Sequence, residues 1–374
     1  MARRNKAQRN LNTAKRMTPH DVKVAGTFAE KPAIAKAEPR KPTQEEMKAN
    51  NNAMLELTRN IGDLTIWKPI FEEDLKRMNE GKVGRPFLYS DALIIWMMTI
   101  LTAVDGKFDT VAGLFQGILR FAGIAAPSPT RLLERANCLT TEYISKPCKE
   151  LSERYGSSIY TMGVSSNVTE RPRRVGIDAS GLALSSINRW RTKKWKTEVK
   201  DRGWLHLHVL SDVDTGEFIA FAITDESVGD APILKYLVEE ALKKGHRLEV
   251  VYADGAYSSD ENWIYLCSEK KLRFVTSFKV NTAPTNNGCL ARGEAARLWC
   301  SLPYDEWVKE SGYGTRWKCE CTFSDFKRLF PEVVTARSQI GMIRQVICRI
   351  DFHNMYKETR ARIMRTTGNG IVVA

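Results

Sequence analysis

Two aspartates lie in segments where a predicted β-sheet could hold a metal ion. Asp178 lies inside the run RVGIDASGLAL, and Asp254 ends the run LEVVYAD. A carboxylate in the middle of an apolar strand is costly to bury without a cation or a hydrogen-bond donor. Small neighbours such as Gly176 leave room for a ligand beside Asp178. The carboxyl end of a strand is where open α/β sheets generally place ligands, although an Asp followed by Gly is also a common turn former. If the two strands are neighbours, both carboxylates can share a cation.

A third acidic residue lies in a segment with helical spacing. Tyr313, Arg316, Glu320 and Lys327 are separated by 3, 4 and 7 positions. On a continuous helix this spacing keeps the four side chains within an arc of roughly 60°. It also fits a solvated charged face with an ion pair between Arg316 and Glu320. Periodicity alone leaves both interpretations open.

These residues carry a family resemblance. The arrangement Y-x2-R-x3-E-x6-K resembles the signature of a large branch of DDE-type insertion-sequence transposases, and all four positions match. VGIDASGL is similar to the first-Asp strand of that family. YADGAYSS is similar to its second-Asp motif, in which an aromatic residue, here Tyr257, follows the Asp by three positions. With looser motifs around Gly84-Arg85-Pro86, the resemblance covers most of residues 84–362.

The resemblance implies a ribonuclease-H-like catalytic fold in which Asp178, Asp254 and Glu320 bind two divalent metal ions. Oxygen ligands without a His or Cys cluster suit Mg²⁺, for which Mn²⁺ can substitute. Two such ions about 4 Å apart stabilise the attacking and leaving oxygens of a phosphodiester displacement. The implied activity is cleavage of DNA at the ends of an insertion sequence, followed by attack of the freed 3′-hydroxyl on target DNA.

The resemblance also implies DNA contacts. Arg316 and Lys327 would hold phosphates of the transposon end, one as a bidentate fork and the other as a point charge. Tyr313 would orient the terminal nucleotides. About 30 residues, expected to be irregular, separate the last strand from the Glu320 helix, so the large insertion of some relatives is absent. A stacking role in that insertion therefore does not transfer to the tryptophans of this region, which we interpret as core or partner-facing: Trp299, Trp307 and Trp317.

Two further basic segments are candidates for DNA contact. RWRTKKWK, residues 189–196, interleaves cations that include Lys193 and Lys194 with two indoles, which favours contact with the DNA backbone over a merely solvated loop. The helix RLLERANCL carries Arg131 and Arg135 on one face. It fits either a helix-turn-helix reader of DNA ends or a helix that only packs its bundle.

Composition is consistent with a DNA partner but does not prove one. The chain has 57 Lys and Arg against 44 Asp and Glu, a formal net charge of +13, which suits a polyanion. The eight cysteines show no C-x-x-C spacing and are expected to be reduced. The longest apolar run, residues 92–104, is too short to cross a bilayer.

We expect a cytoplasmic, nucleoid-associated prokaryotic protein without a membrane partner. It would bind double-stranded DNA, both terminal inverted repeats and target, as a homodimer or larger assembly.

The predicted elements divide the chain into three parts. Residues 1–45 form a basic tail, expected to be disordered, and residues 46–150 read as a small all-helical domain that binds DNA ends. Over residues 171–364 the order is three strands, helix, strand, helix, strand and two helices. The fold class is therefore α/β, a ribonuclease-H-like mixed five-stranded sheet flanked by helices. Three residues are predicted helix caps: Ser90, Asp230 and Ser258.

Two histidines lie close together in one predicted strand. His206 and His208 alternate in a strand and share a face, but no third soft ligand has suitable spacing, which favours structural or DNA-near roles.

Two other functions compete with that of an active transposase. One is that of a catalytically inactive or domesticated DNA-binding relative, and the intact acidic triad argues against it. The other is that of a plain nuclease of the same fold. The helical region and the basic tail favour a protein that recognises particular DNA ends.

Overall fold

A computed structural model describes residues 42–143, 153–154, 158–185 and 203–366. The predicted basic tail lies almost wholly outside these residues, and Lys193 and Lys194 lie outside them as well. Within the described part of the chain, no helix combines the length and the apolar character needed to span a membrane.

The first part of the structure is helical, as predicted. Thr43 caps the first helix through a capping box with Glu46, and the Ser90 hydroxyl caps the third by accepting from the amide of Leu93 at 3.1 Å. Both caps satisfy amide groups that the first turn of a helix leaves unpaired. The helices are α1 (Gln44–Gly62), α2 (Leu64–Asn79), α3 (Asp91–Ala103), α4 (Phe108–Phe121) and α5 (Pro129–Tyr143).

A mixed sheet follows, with helices between and after its strands. The strands are β1 (Ile159–Val164), β2 (Arg173–Leu184), β3 (Trp204–Asp212), β4 (Phe218–Asp225), β5 (Leu248–Ala253), β6 (Arg273–Thr276) and β7 (Val333–Val334). The helices are α6 (Ala231–Lys243), α7 (Asp260–Trp263, extended by a π-helical turn over Ile264–Glu269), α8 (Leu290–Ser301), α9 (Tyr304–Ser311), α10 (Trp317–Leu329) and α11 (Gln339–Thr366).

The sheet has the predicted topology. Its order is β1-β4-β3-β2-β5-β6, with β7 paired to the end of β2. The strands β2 to β6 are the five that the sequence predicted. Among them β3 is antiparallel to its neighbours β2 and β4, whereas β5 is parallel to both β2 and β6. This arrangement confirms the ribonuclease-H-like mixed sheet, to which β1 and β7 are additions that the sequence analysis missed.

Three expectations about local structure were wrong. The stretch before the Glu320 helix is not irregular, since it contains α8 and α9; its many polar residues obscured the helical period. Ser259, not Ser258, caps α7, by accepting from the amide of Asn262 at 3.2 Å. Asp230 occupies the cap position of α6, but its side chain makes no capping hydrogen bond.

Two apolar cores lie on opposite faces of the sheet. One contains α10, α11 and the N-terminal helices, with Phe218 and Phe221 from the sheet. The other contains α6, α8 and α9, with Ile177 and Leu210 from the sheet. The long helix α11 packs on α1, α3 and α5, so the helical region and the sheet share the first core. The division into domains at residues 46–150 and 171–364 stays a prediction.

The helix α10 lies very close to the backbone of β2 at Gly176. A Cβ atom at this position would lie 1.9 Å from Sγ of Cys319, which is buried in α10. The space that the sequence analysis assigned to a ligand at Gly176 is therefore filled by Cys319. Glycine here allows the helix that carries Glu320 to approach the strand that carries Asp178.

We expect Gly176→Ala to destabilise the protein by about 1–3 kcal/mol, the usual cost of overpacking a core. Urea unfolding of the full chain measures this. Gly181→Ala in the same strand is the matched control, because its Cβ atom would meet only Trp204, at 3.7 Å. Adding Cys319→Ala to Gly176→Ala should recover part of the loss; equal stability of both single glycine variants would contradict this packing.

Candidate active site

The sheet places Asp178 and Asp254 side by side. Gly176 of β2 pairs with Tyr252 of the parallel neighbour β5, and each aspartate follows its member of that pair by two residues. Strands β2 and β5 are thus neighbours, which is the arrangement that the two carboxylates need to share a cation. The side chain of Asp178 shares a face with that of its partner Val209, which belongs to the core containing α10.

Asp254 is held by the turn that follows β5. Its Oδ1 atom accepts a hydrogen bond from the amide of Ala256 at 2.8 Å and so caps a 3₁₀ turn over Gly255–Tyr257. Its carbonyl oxygen accepts from the Thr276 hydroxyl at 2.6 Å. Thr276 is a positioning residue that the sequence analysis missed, because only strand pairing brings β6 next to Asp254.

Asp178 is a half-buried carboxyl group with a raised pKa. Loss of solvent is the main cause and raises the pKa to about 6; the charges of Asp254 and Glu320 act in the same direction. The amide of Ala179, 3.0 Å from Oδ1, and the charge of Arg316 oppose the shift. The ionised form is therefore poorly compensated, as the sequence predicted, and a cation at this position would stabilise it.

Arg316 lies between the other two carboxylates. Its Nη1 atom donates to Oε1 of Glu320 at 2.6 Å, and its Nη2 atom lies 3.9 Å from Oδ2 of Asp254. The predicted ion pair between Arg316 and Glu320 is thus present, but the same guanidinium also approaches Asp254 at the end of β5. Within the described ranges, the ligand atoms of Asp178, Asp254 and Glu320 do not all come within 4.8 Å of one another. Arg316 therefore contacts Glu320, lies near Asp254 and acts on Asp178 through its charge.

Lys327 shares the face of Glu320, since the two lie seven residues apart in α10, but Tyr313 does not lie on that face in the way the spacing suggested. Tyr313 lies in a 3₁₀ turn before α10 and is buried, with its hydroxyl donating to Ser277 Oγ at 3.3 Å. Its ring lies 4.9 Å from that of Trp307. Nζ of Lys327 lies 3.2 Å from Oε2 of Glu332. The arc calculated for a continuous helix was wrong because the helix begins only after Arg316.

The tryptophans near α10 have two different environments. Trp299 and Trp307 are buried and pack edge to face with their centroids 4.6 Å apart. Trp317 is 51% exposed. This agrees with core and partner-facing interpretations respectively.

The arginines of α5 form contacts within the helical region. Arg131 pairs with Glu134 at 2.8 Å and is largely exposed. Arg135 forms an ion pair with Asp91 and lies over the ring of Phe87, 5.2 Å from its centroid. Arg131 is therefore the more accessible of the two for a phosphate.

The structure supplies the third ligand that the histidines lacked. The ligand atoms of His206, His208 and Asp230 all lie within 4.8 Å of one another. The sequence analysis interpreted Asp230 only as a helix cap and so missed the cluster. Since α6 packs on β3 and β4, its first turn lies over the histidine face, a relation that linear spacing does not reveal.

A family comparison covers the part of the chain that contains the acidic residues. Residues 170–349, just under half of the chain, match the family model of the transposase DDE domain. This part of the chain is therefore similar to the DDE domains of transposases. The matched range contains Asp178, Asp254 and Glu320, all the sheet strands except β1, and the first part of α11.

Solved structures give weaker likenesses. A piggyBac transposase synaptic complex with hairpin DNA is 13% identical over 86% of this chain and 82% of that chain, with a TM-score of 0.35. A Drosophila P element transposase strand transfer complex is 8% identical over 82% of this chain and 87% of that chain, with a TM-score of 0.32. A simian T-cell lymphotropic virus intasome in complex with a PP2A regulatory subunit is 14% identical over 57% of this chain and 66% of that chain, with a TM-score of 0.21. Scores this low add nothing to the assignment, which rests on the DDE domain match. A comparison with curated proteins found no match.

Asp178→Asn should change how the stability of the DDE domain depends on pH. Because folding raises this pKa, ionised Asp178 destabilises the fold, and the penalty is absent below the unfolded pKa and complete above about pH 6. In EDTA at about pH 8, we expect the Asn variant to be more stable than wild type by about 1–3 kcal/mol, from 1.36 kcal/mol per pKa unit. The difference should shrink as the pH falls to about 4. Chemical denaturation at several pH values measures it, and a difference independent of pH would contradict a buried ionisable carboxyl.

Proposed function

We propose that the protein is an active DNA transposase of the insertion-sequence kind. It would cleave DNA at the ends of its element and transfer the freed 3′-hydroxyl into target DNA. The observation that carries the proposal is the half-buried Asp178 carboxyl with its raised pKa, near Asp254 and Glu320 in the range that matches a transposase DDE domain. Such a group is costly in a purely structural role, since its charge is poorly compensated.

The residues of the site fit divalent metal ions. Asp178, Asp254 and Glu320 offer hard oxygen ligands, and the raised pKa of Asp178 reports a carboxylate that a cation would stabilise. We propose that these three residues hold two Mg²⁺ ions, for which Mn²⁺ can substitute. When bound, such ions stabilise negative charge on the attacking and leaving oxygens of a phosphodiester.

The protein's own cations would bind and orient the DNA. Arg316 is mostly shielded, with 19% of its side chain exposed, and already lies beside carboxylates, so a phosphate can replace Glu320 as its partner. Lys327 would hold a phosphate further along α10. Tyr313 would orient the terminal nucleotides through its hydroxyl edge, because its ring is buried against Trp307.

The proposed partners are double-stranded DNA molecules, the terminal inverted repeats and the target. Arg131, Arg135, Lys193 and Lys194 would contribute further phosphate contacts. Joining two ends requires two active sites close together, so we propose a homodimer or larger assembly on DNA. The setting would be the nucleoid in a prokaryotic cytoplasm.

Cleavage of end DNA tests the catalytic assignment. With Mg²⁺ and a labelled duplex carrying the end of the encoding element, we expect wild type to cut at the end and to join the cut strand to a second duplex. Asp178→Ala, Asp254→Ala and Glu320→Ala should each lower the rate at least about 100-fold, since metal ligation contributes several kcal/mol to the transition state.

Glu249→Ala is the matched control, because Glu249 lies exposed on β5, the strand that precedes Asp254. Its rate should equal that of wild type. Full cleavage by the three Ala variants would refute the assignment. Binding without cleavage in Mg²⁺ or Mn²⁺ would favour the inactive relative, and cutting without joining would favour the plain nuclease.

Lys327→Ala should weaken binding of the element end and lower its salt dependence by about one unit, the contribution of one phosphate contact. Fluorescence anisotropy at several salt concentrations measures the slope of log K against log salt. Lys309→Ala in α9, another exposed lysine, should leave the slope unchanged. An unaltered slope for Lys327→Ala would reject this contact.

A further inference from the structure

A second group of ligating side chains lies on the sheet face opposite Asp178. Asp178 pairs with Val209 of β3, and the next pair along joins Ala179 to His208. Side chains alternate along a strand, so His208 and His206 point away from α10 and toward α6. Asp230, directly before α6, meets them there.

The spacing of the three donor atoms fits a tetrahedral ion. Oδ1 of Asp230 lies 3.6 Å from Nε2 of His206 and 3.4 Å from Nδ1 of His208. Bonds of about 2.0–2.2 Å to a tetrahedral Zn²⁺ place its ligand atoms roughly 3.3 Å apart. The side chains therefore need to move little to share one ion.

The hydrogen bonds on the far sides of the rings determine which nitrogens carry lone pairs. Nε2 of His208 lies 3.0 Å from the Thr224 hydroxyl, which donates its own proton to the carbonyl of Asp225. Nδ1 of His206 lies 3.4 Å from the carbonyl of Val228, which only accepts. The carbonyl of Val228 requires Nδ1 of His206 to donate, and Nε2 of His208 donates as well when the Thr224 proton goes to Asp225. The opposite nitrogens of both rings then carry lone pairs that face Asp230.

The buried atoms at the centre of this cluster lack hydrogen-bond partners. Nδ1 of His208 and Oδ1 of Asp230 are both shielded from solvent and lie 3.4 Å apart, but they are not aligned for a hydrogen bond with each other. His208 is fully buried, which lowers its pKa and keeps the ring neutral. Asp230 leaves the amides of the first turn of α6 uncapped while its carboxylate faces the two rings. Three lone pairs thus converge at a point where a cation would relieve their repulsion.

We propose that His206, His208 and Asp230 form a binding site for one divalent transition-metal ion of the Zn²⁺ type. Two imidazoles and a carboxylate favour such an ion, whereas the oxygen ligands around Asp178 favour Mg²⁺. His206 is 23% exposed and gives the ion an entry path and a position for a water ligand. Thr224 and Val228 orient the two rings from behind. The bound ion links β3 to the start of α6.

Zinc titration of the full chain tests the site. Metal-free protein competes with a chromophoric chelator for Zn²⁺ in excess Mg²⁺, which occupies the oxygen ligands around Asp178. We expect one tightly bound Zn²⁺ per chain. His206→Ala and Asp230→Asn should weaken its affinity at least about 100-fold, and Thr224→Val about 10–100-fold, the usual effect of removing an outer partner.

Asp178→Asn is the matched control and should leave the affinity for Zn²⁺ unchanged, because Asp178 lies on the other face of β2. X-ray absorption at the zinc edge should show two imidazole nitrogens. If Asp230→Asn fails to fold, His206→Ala still tests the site, because His206 is partly exposed. The proposal would be overturned by the absence of bound Zn²⁺, by equal affinity of wild type and His206→Ala, or by a shell of oxygen ligands alone.

Discussion

The half-buried carboxyl group of Asp178, in a central strand of the sheet, is the constraint on which the site depends. Its ionised form loses water and gains only one amide hydrogen bond, which is why its pKa rises to about 6. The surrounding elements bring further charge to it. The parallel strand β5 adds Asp254, and α10 adds Glu320 together with Arg316, the cation that partly offsets three negative groups. Groups with such strongly perturbed pKa values are candidates for functional sites.

Close packing brings α10 to this position. Because Gly176 has no side chain, Cys319 can lie against the backbone of β2, and the next residue of the helix is Glu320. A buried contact one residue away thus fixes how far the third acid lies from the first. The N-terminal helices support the arrangement from further out, since they pack on α11 in the core that also contains α10.

Alternation along β3 separates two different sets of ligands. Val209 faces the core beside α10, whereas His206 and His208 face α6 and meet Asp230. One face of the sheet therefore offers oxygen ligands and the other offers nitrogen ligands. The buried phenol of Tyr257 lies near both sets: burial raises its pKa, and the charges of Asp230, Asp178 and Asp254 raise it further. Any change of charge at one set is felt at this ring.

The sequence by itself determined the five strands and most of the helices, because strand and helix periods are properties of neighbouring residues. It also predicted the three acids Asp178, Asp254 and Glu320 from local motifs. It did not determine that α8 and α9 are helices, since their polar composition obscured the period. Only the tertiary structure decided that Tyr313 is buried and that Arg316 bridges Asp254 and Glu320. It also decided that Asp230 joins the histidines and does not cap its helix. Each of these outcomes depends on contacts between segments far apart in the chain, and their distances are set by packing and strand pairing, which no spacing along the sequence encodes.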